Sequence, residues 1–210
     1  MIRFDLSKAL AKPLGKHLKP AKVFEPELWW RAELAVIGAE ICVIAQEQYT
    51  QYIMVLCALE NDDFSRFPQL FRERFCREAA AICKQAGLYD NKTLMTQLGK
   101  LLEAQHYQLD PEPLEEGKLT KVIEKLERRY LYDGVPLPSD GRSAFEFSYP
   151  INSRKPKTQS DEQPSAAEAM GNLCLNLIED LIAKEQPEIP EIISSDDNIV
   201  RVDFARQRQR

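Results

Sequence analysis

The pattern of hydrophobic and polar positions is most apolar between Leu28 and Leu59, LWWRAELAVIGAEICVIAQEQYTQYIMVLCAL, and alternates from Leu28 to Val36. Leu28, Trp30, Ala32, Leu34 and Val36 are apolar, and Arg31 and Glu33 between them are charged. A period of two predicts a strand with one buried and one wet face. Gly38-Ala39 predicts a tight turn. Ile41–Ala45 and Ile53–Leu59 are apolar throughout, as expected of strands covered on both faces. The Val, Ile and Tyr enrichment and the interruption at Gly38 favour strands over one buried helix. Ala32 and the Glu and Gln residues up to Gln48 pull the other way. The reading is three antiparallel strands forming the floor of the domain.

Beyond residue 60 the period changes to that of a helix. Phe67, Leu70, Phe71, Phe75, Ala79, Ile82, Cys83 and Ala86 make one apolar stripe, after Asp63 or Ser65 as cap and before Gly87 as stop. Further helices are predicted over Lys92–Gln105 and Glu115–Leu131. Ser165 and Glu168 have capping-box spacing and open another helix, to about Lys184. Ile2–Phe4 reads as a short edge strand and Ala144–Tyr149, by alternation, as a fourth strand. Residues 151–164 read as a flexible loop, and Pro187 and Pro190 end the compact part. The expected fold class is α+β: a small antiparallel sheet of three to four strands packed with amphipathic helices, with an extended C-terminal tail. The expected division is one domain over 1–186 and a tail over 187–210.

Composition narrows the function classes. The 210 residues carry a formal charge of -5, which gives no general nucleic-acid-binding surface. No apolar run reaches the roughly 20 residues needed to span a bilayer, and the N-terminus lacks the apolar stretch of a signal peptide. Cys42, Cys57, Cys76, Cys83 and Cys174 form no CxxC pair, so free buried thiols in a cytoplasmic, reducing compartment are expected. Charge is uneven, however. Residues 1–26 hold Arg3, Lys8, Lys12, Lys16, Lys19 and Lys22 against Asp5 and Glu25, six minus two, or +4. That fits a basic arm contacting phosphates; it also fits a solvated lead-in whose lysines keep a sheet edge from pairing.

Candidate chemistry is sparse. Neither His17 nor His106 has a second His or a Cys at ligand spacing, and His106 is expected at a helix end. Cys76 and Cys83 share one helix face as core fillers. A Gly-rich phosphate loop and a GxSxG elbow are both lacking. Asp110 followed by Glu116-Gly117-Lys118 has the residue types of a metal-dependent nuclease, but lies in a Pro-broken helix lead-in where such charges also serve capping. No catalytic residue, metal or cofactor is assigned. Trp29, Arg31 and Tyr49 concentrate aromatic and cationic groups of the kind that anchor partners; core packing accounts for aromatics equally well. Trp29 and Trp30 must point to opposite faces of a strand. In the tail, Val200, Val202 and Phe204 alternate with Arg201 and Asp203 before Arg206, Arg208 and Arg210. Such a segment can add to a sheet edge or remain a free tail.

From Trp30 to Phe75 the chain resembles a family of small, uncharacterised bacterial proteins frequent near plasmid and prophage genes. The similarity rests on a Trp-containing strand, Ile41-Cys42-Val43-Ile44, Tyr52-Ile53-Met54-Val55-Leu56, and the helix opening at Asp63-Phe64 and Leu70-Phe71. Ala169-Met170-Gly171-Asn172-Leu173 is similar to that family's later helix start. The resemblance brings no activity and no catalytic residue; it implies a setting in a mobile-element or phage-defence system. The expected function is a non-catalytic interaction or regulatory protein binding a partner protein through Trp29, Arg31 and Tyr49, or through Val200, Val202, Phe204, Arg206 and Arg208. The alternatives are nucleic-acid binding by the basic arm and terminal arginines, and a nuclease or toxin using Glu116 and Lys118.

Overall fold

The computed structural model describes residues 1–85, 91–110, 117–155 and 163–185. Ile2–Leu6 (β1) is not an edge strand. It lies inside the sheet, parallel to Leu28–Ile37 (β2) on one side and to Gln105–Leu109 (β5) on the other. Glu40–Glu47 (β3) and Ile53–Leu59 (β4) continue antiparallel from β2, giving the order β4-β3-β2-β1-β5. The sheet is therefore five-stranded and mixed, where an antiparallel sheet of three or four strands was expected. The three antiparallel strands within it are those read from the alternation over Leu28–Val36 and the two continuous apolar runs.

Parallel strands need a crossover. For β1 and β2 it is the short helix Lys8–Ala11 (α1), a 3-10 turn at Gly15–His17, and an extended return through residues 18–27. Gly38, at φ +64, takes the first position of the two-residue turn between β2 and β3, a backbone region open to glycine. A Cβ there would also stand 2.8 Å from the Tyr130 ring.

The sheet has helices on both faces. One face is built from Ile2, Phe4, Leu6, Trp30, Ala32, Val43, Ala45 and Met54, under Phe67–Gln85 (α2), Asn91–Leu101 (α3) and Ala166–Glu185 (α6). Its centre is aromatic: Phe4 meets Phe71 edge-on at 4.7 Å, and Trp30 meets Phe71 and Phe75 at 5.0 and 5.5 Å. The capping box that opens α6 forms, the Ser165 amide donating to Glu168 at 2.7 Å and the Glu168 amide to Ser165 Oγ at 3.3 Å. Lys118–Glu127 (α4) and Gly141–Asn152 (α5) cover the second face over β3, β4 and the end of β2. Between α4 and α5, Arg128–Tyr132 winds as a π-turn.

Three local expectations change. The alternation of β2 predicts Val36 inside; Val36 is 59% exposed, and Ala35 and Ile37 are buried. Burial switches faces along β2 because α4 covers the second face at that end. Ala144–Tyr149 is helical, started by Asp140, whose carboxylate accepts from the amides of Arg142 and Ser143. Its aromatics at every second position serve different neighbours: Phe145 meets Tyr149, four residues on, at a tilt, while Phe147 packs toward α4. His106 lies in β5, not at a helix end.

The exposed side of β4 is closed by α5. Asn152, fully buried, accepts the Ile53 amide on its Oδ1 at 2.8 Å and donates Nδ2 to the Ile53 carbonyl at 2.7 Å. One side-chain amide thus stands in for a neighbouring strand, where an open edge would invite pairing. Asn152→Ala strands both backbone groups, so the expected loss is about 2–4 kcal/mol, read as a lower urea midpoint at unchanged slope.

Candidate functional site

The second face of the sheet changes character across its width. It is apolar over β3, β4 and the end of β2, and polar over β5, β1 and the start of β2. Register places His106 beside Arg3 and Arg3 beside Trp29; one step along, Gln108, Asp5, Arg31 and Gln46 form a second row. Alternate residues of neighbouring strands share a face, so both rows lie on the same surface. The return segment covers its far margin. The Lys22 amide donates to Gln108 at 3.3 Å, and Phe24 sits edge-on to His106 at 5.5 Å. His106 is 6% exposed, and its Nε2 has no hydrogen-bond partner among the described residues.

Asp5, 3% exposed, organises the centre. Its carboxylate accepts Nε and Nη2 of Arg3, both at 2.9 Å, and the indole N–H of Trp29 at 2.7 Å. The Arg3 guanidinium lies 4.8 Å from the centroid of the Trp29 ring, a cation–π stack. Tyr49, 53% exposed, meets Trp29 edge-on at 6.3 Å. Glu47 holds this cluster from beneath. Fully buried, it accepts the Trp29 amide at 3.2 Å, the Thr50 amide at 2.7 Å and the Thr50 hydroxyl at 2.8 Å. Burial pushes its carboxyl above the usual range, against the pull of the bonds from Thr50 and Trp29. Burial, then the charges of Glu47 and Glu25, push the Tyr49 phenol up. Arg31 Nε donates to the Asp110 carboxylate, and burial raises the Glu33 carboxyl against the opposing charge of Arg31.

The structure brings Trp29, Arg31 and Tyr49 to one surface. Trp30 is fully buried on the other. Val200, Val202, Phe204, Arg206 and Arg208 lie outside the described residues, as does Glu116. Of the remaining nuclease candidates, Asp110 meets Arg31 and Lys118 donates its ammonium to the Gln51 carbonyl at 2.7 Å. Among the described residues no three His, Cys, Asp or Glu side chains gather to hold a metal ion. The basic lead-in is folded: Arg3 is in β1, Lys8 in α1 and Lys16 in the 3-10 turn, while Lys19 donates to the Gln105 carbonyl at 3.1 Å. Sequence reading missed Asp5 and Glu47 as organisers and counted Arg3 as part of the arm. The sequence shows only where Arg3 and Asp5 would face: they alternate with Ile2, Phe4 and Leu6, the pattern of a strand with one polar face.

Compared with protein-family models, curated proteins and solved structures, the chain matches none. The chemistry of the cluster is therefore read from its groups alone. Arginine has about five N–H donors; Asp5 takes two from Arg3, leaving the rest for an incoming acceptor. A guanidinium fixed in orientation between a carboxylate and an indole suits recognition of a planar anion.

Asp5→Asn removes the charge that holds Arg3 and Trp29. The expected cost is about 1.5–3 kcal/mol in urea denaturation, together with greater acrylamide quenching of Trp29 fluorescence against a shielded Trp30. For Glu47 the sign is opposite to that of an ordinary paired acid. With its folded pKa raised, the folded state binds more protons between the ordinary and the raised value, so this contribution falls as pH rises through that window. Wild type should lose stability relative to Glu47→Gln from about pH 4.5 upward, measured as the difference between their urea midpoints.

Proposed function

We propose that the protein is a non-catalytic interaction protein that binds an acidic segment of another protein through Arg3, Trp29, Arg31 and Tyr49. The observation that carries this reading is the position of Arg3, stacked on Trp29 and bonded to Asp5 beside a half-exposed Tyr49. Tryptophan, tyrosine and arginine dominate binding hot spots because they bring large contact areas and strong donors at small ordering cost. Here the ordering has already occurred within the free protein, which favours affinity. A setting as an accessory of a mobile-element or phage-defence system follows from the resemblance over Trp30–Phe75, and is part of the same proposal. Val200, Val202, Phe204, Arg206 and Arg208 supply a second contact in this reading.

The test is affinity purification of full-length protein from its host, followed by titration of the recovered partner by calorimetry. Tyr49→Ala is expected to weaken binding at least tenfold, about 1.4 kcal/mol, with the melting temperature unchanged. Phe204→Ala with Arg206→Ala measures the tail separately. Equal affinities for wild type and Tyr49→Ala would remove the sheet surface from the account.

A further inference from the structure

On α4 and the π-turn, Lys118, Lys121, Lys125, Arg128 and Arg129 project from one side. At 3.6 residues per turn they fall in a stripe about 100° wide, with Glu124 and Glu127 outside it. The stripe borders the seam with α5. The Lys125 ammonium and the Arg129 guanidinium both lie 5.3 Å from the centroid of Phe147. Arg154, just beyond α5, adds a further cation near Lys125; burial first, then Arg154 and Arg129, push the Lys125 ammonium pKa down.

Among the described residues none of these six cations forms an ion pair with a carboxylate. The carboxylates of α5 face other groups: Asp140 caps its helix, and Glu146 pairs with Arg142 at 2.8 Å. Like charges at the i, i+4 spacing of Lys121, Lys125 and Arg129 disfavour the helix that carries them. In a chain of net charge -5 this is a local concentration, not a general basic surface. At the Arg129 end a cleft of about 380 Å³ opens between Arg129, Val135, Pro136, Ser143 and Phe147. Beside it in the chain, the π-turn holds Tyr132 at 83% exposure.

We propose that this stripe binds the phosphodiester backbone of single-stranded nucleic acid, with the cleft and Tyr132 receiving unstacked bases. Cations at successive helical turns, about 6 Å apart, follow a regularly charged polymer. A cleft of small-molecule size admits one splayed base, which a duplex does not offer. Tyr132 gives the flat apolar surface on which a base stacks irrespective of sequence. The proposal is independent of the Arg3–Trp29 cluster and uses neither the lead-in lysines nor the terminal arginines.

The test is fluorescence anisotropy of labelled oligothymidylate and oligouridylate with the full-length chain across a salt series. Four neutralised phosphates give a slope of log Kobs against log salt of about -3. Lys121→Glu with Arg128→Glu, both at exposed positions, should lower affinity at least tenfold and flatten the slope. Tyr132→Ala should weaken binding severalfold at an unchanged slope. Lys8→Glu with Lys12→Glu, the same charge change on α1, should have little effect. Near-ultraviolet circular dichroism establishes that each variant is folded, and Lys121→Gln with Arg128→Gln serves if the reversal is not. The proposal is overturned by absent or salt-independent binding, by equal losses in the α1 and α4 variants, by preference for duplex, or by equally effective competition from polyglutamate. The last result would assign the stripe to an acidic polypeptide.

Discussion

Five residues bind the two halves of this fold together. Ile2–Leu6 pairs along its whole length with β2 and β5, so without it β5 has no sheet to join. Its alternation feeds both surfaces at once. Ile2, Phe4 and Leu6 are fully buried among the aromatics of the helix-covered face, each contributing about 1.5–3 kcal/mol by leaving water. Arg3 and Asp5 lie on the opposite face and fix Trp29 from there. The core and the candidate surface are therefore two sides of one strand, and neither can shift in register without disturbing the other.

Polar groups buried elsewhere follow a comparable logic. Tyr52 donates to Glu78 at 2.6 Å and Arg74 Nε to the same carboxylate at 2.6 Å, joining the start of β4 to α2. Burial raises the Glu78 carboxyl while Arg74 and Tyr52 hold it down. Such a pair adds little net stability, because both partners lose their hydration. On the second face, the buried thiols Cys42 and Cys57 lie where β3 and β4 slip register, beside Ala58 at φ +56. That slip accommodates one extra residue in β4, between the partners of Val43 and Ile41.

The parts of the fold legible from sequence are those where one period persists. Strands β2 to β4 and the long helices α2 and α6 keep their apolar pattern over many residues. β5 escaped because QHYQL has just five residues, and its inward positions on the second face are His106 and Gln108. A polar pair buried by a distant return segment carries no hydrophobic signal. In α5 the sequence FEFSY imitates a strand, and the decisive feature was the cap at Asp140 rather than the spacing of aromatics. For the candidate surface, Trp29, Arg31 and Tyr49 stood out by residue type. Asp5 and Glu47 did not, since a carboxylate that organises others is recognised by its bonds, and those appear only when separate strands come together.

The central position of β1 also bears on how the chain reaches its native state. Ile2 pairs with Gln105, a separation of 103 residues, so β1 must wait for one of its two neighbours until the chain has grown by that length. During that interval β1 has β2 on one side and an open, unpaired margin on the other. Contacts of such long range slow folding. Mixed sheets closed this late expose the nascent chain to capture by chaperones or by its own copies, and slower translation through residues 60–100 would prolong that vulnerable stage.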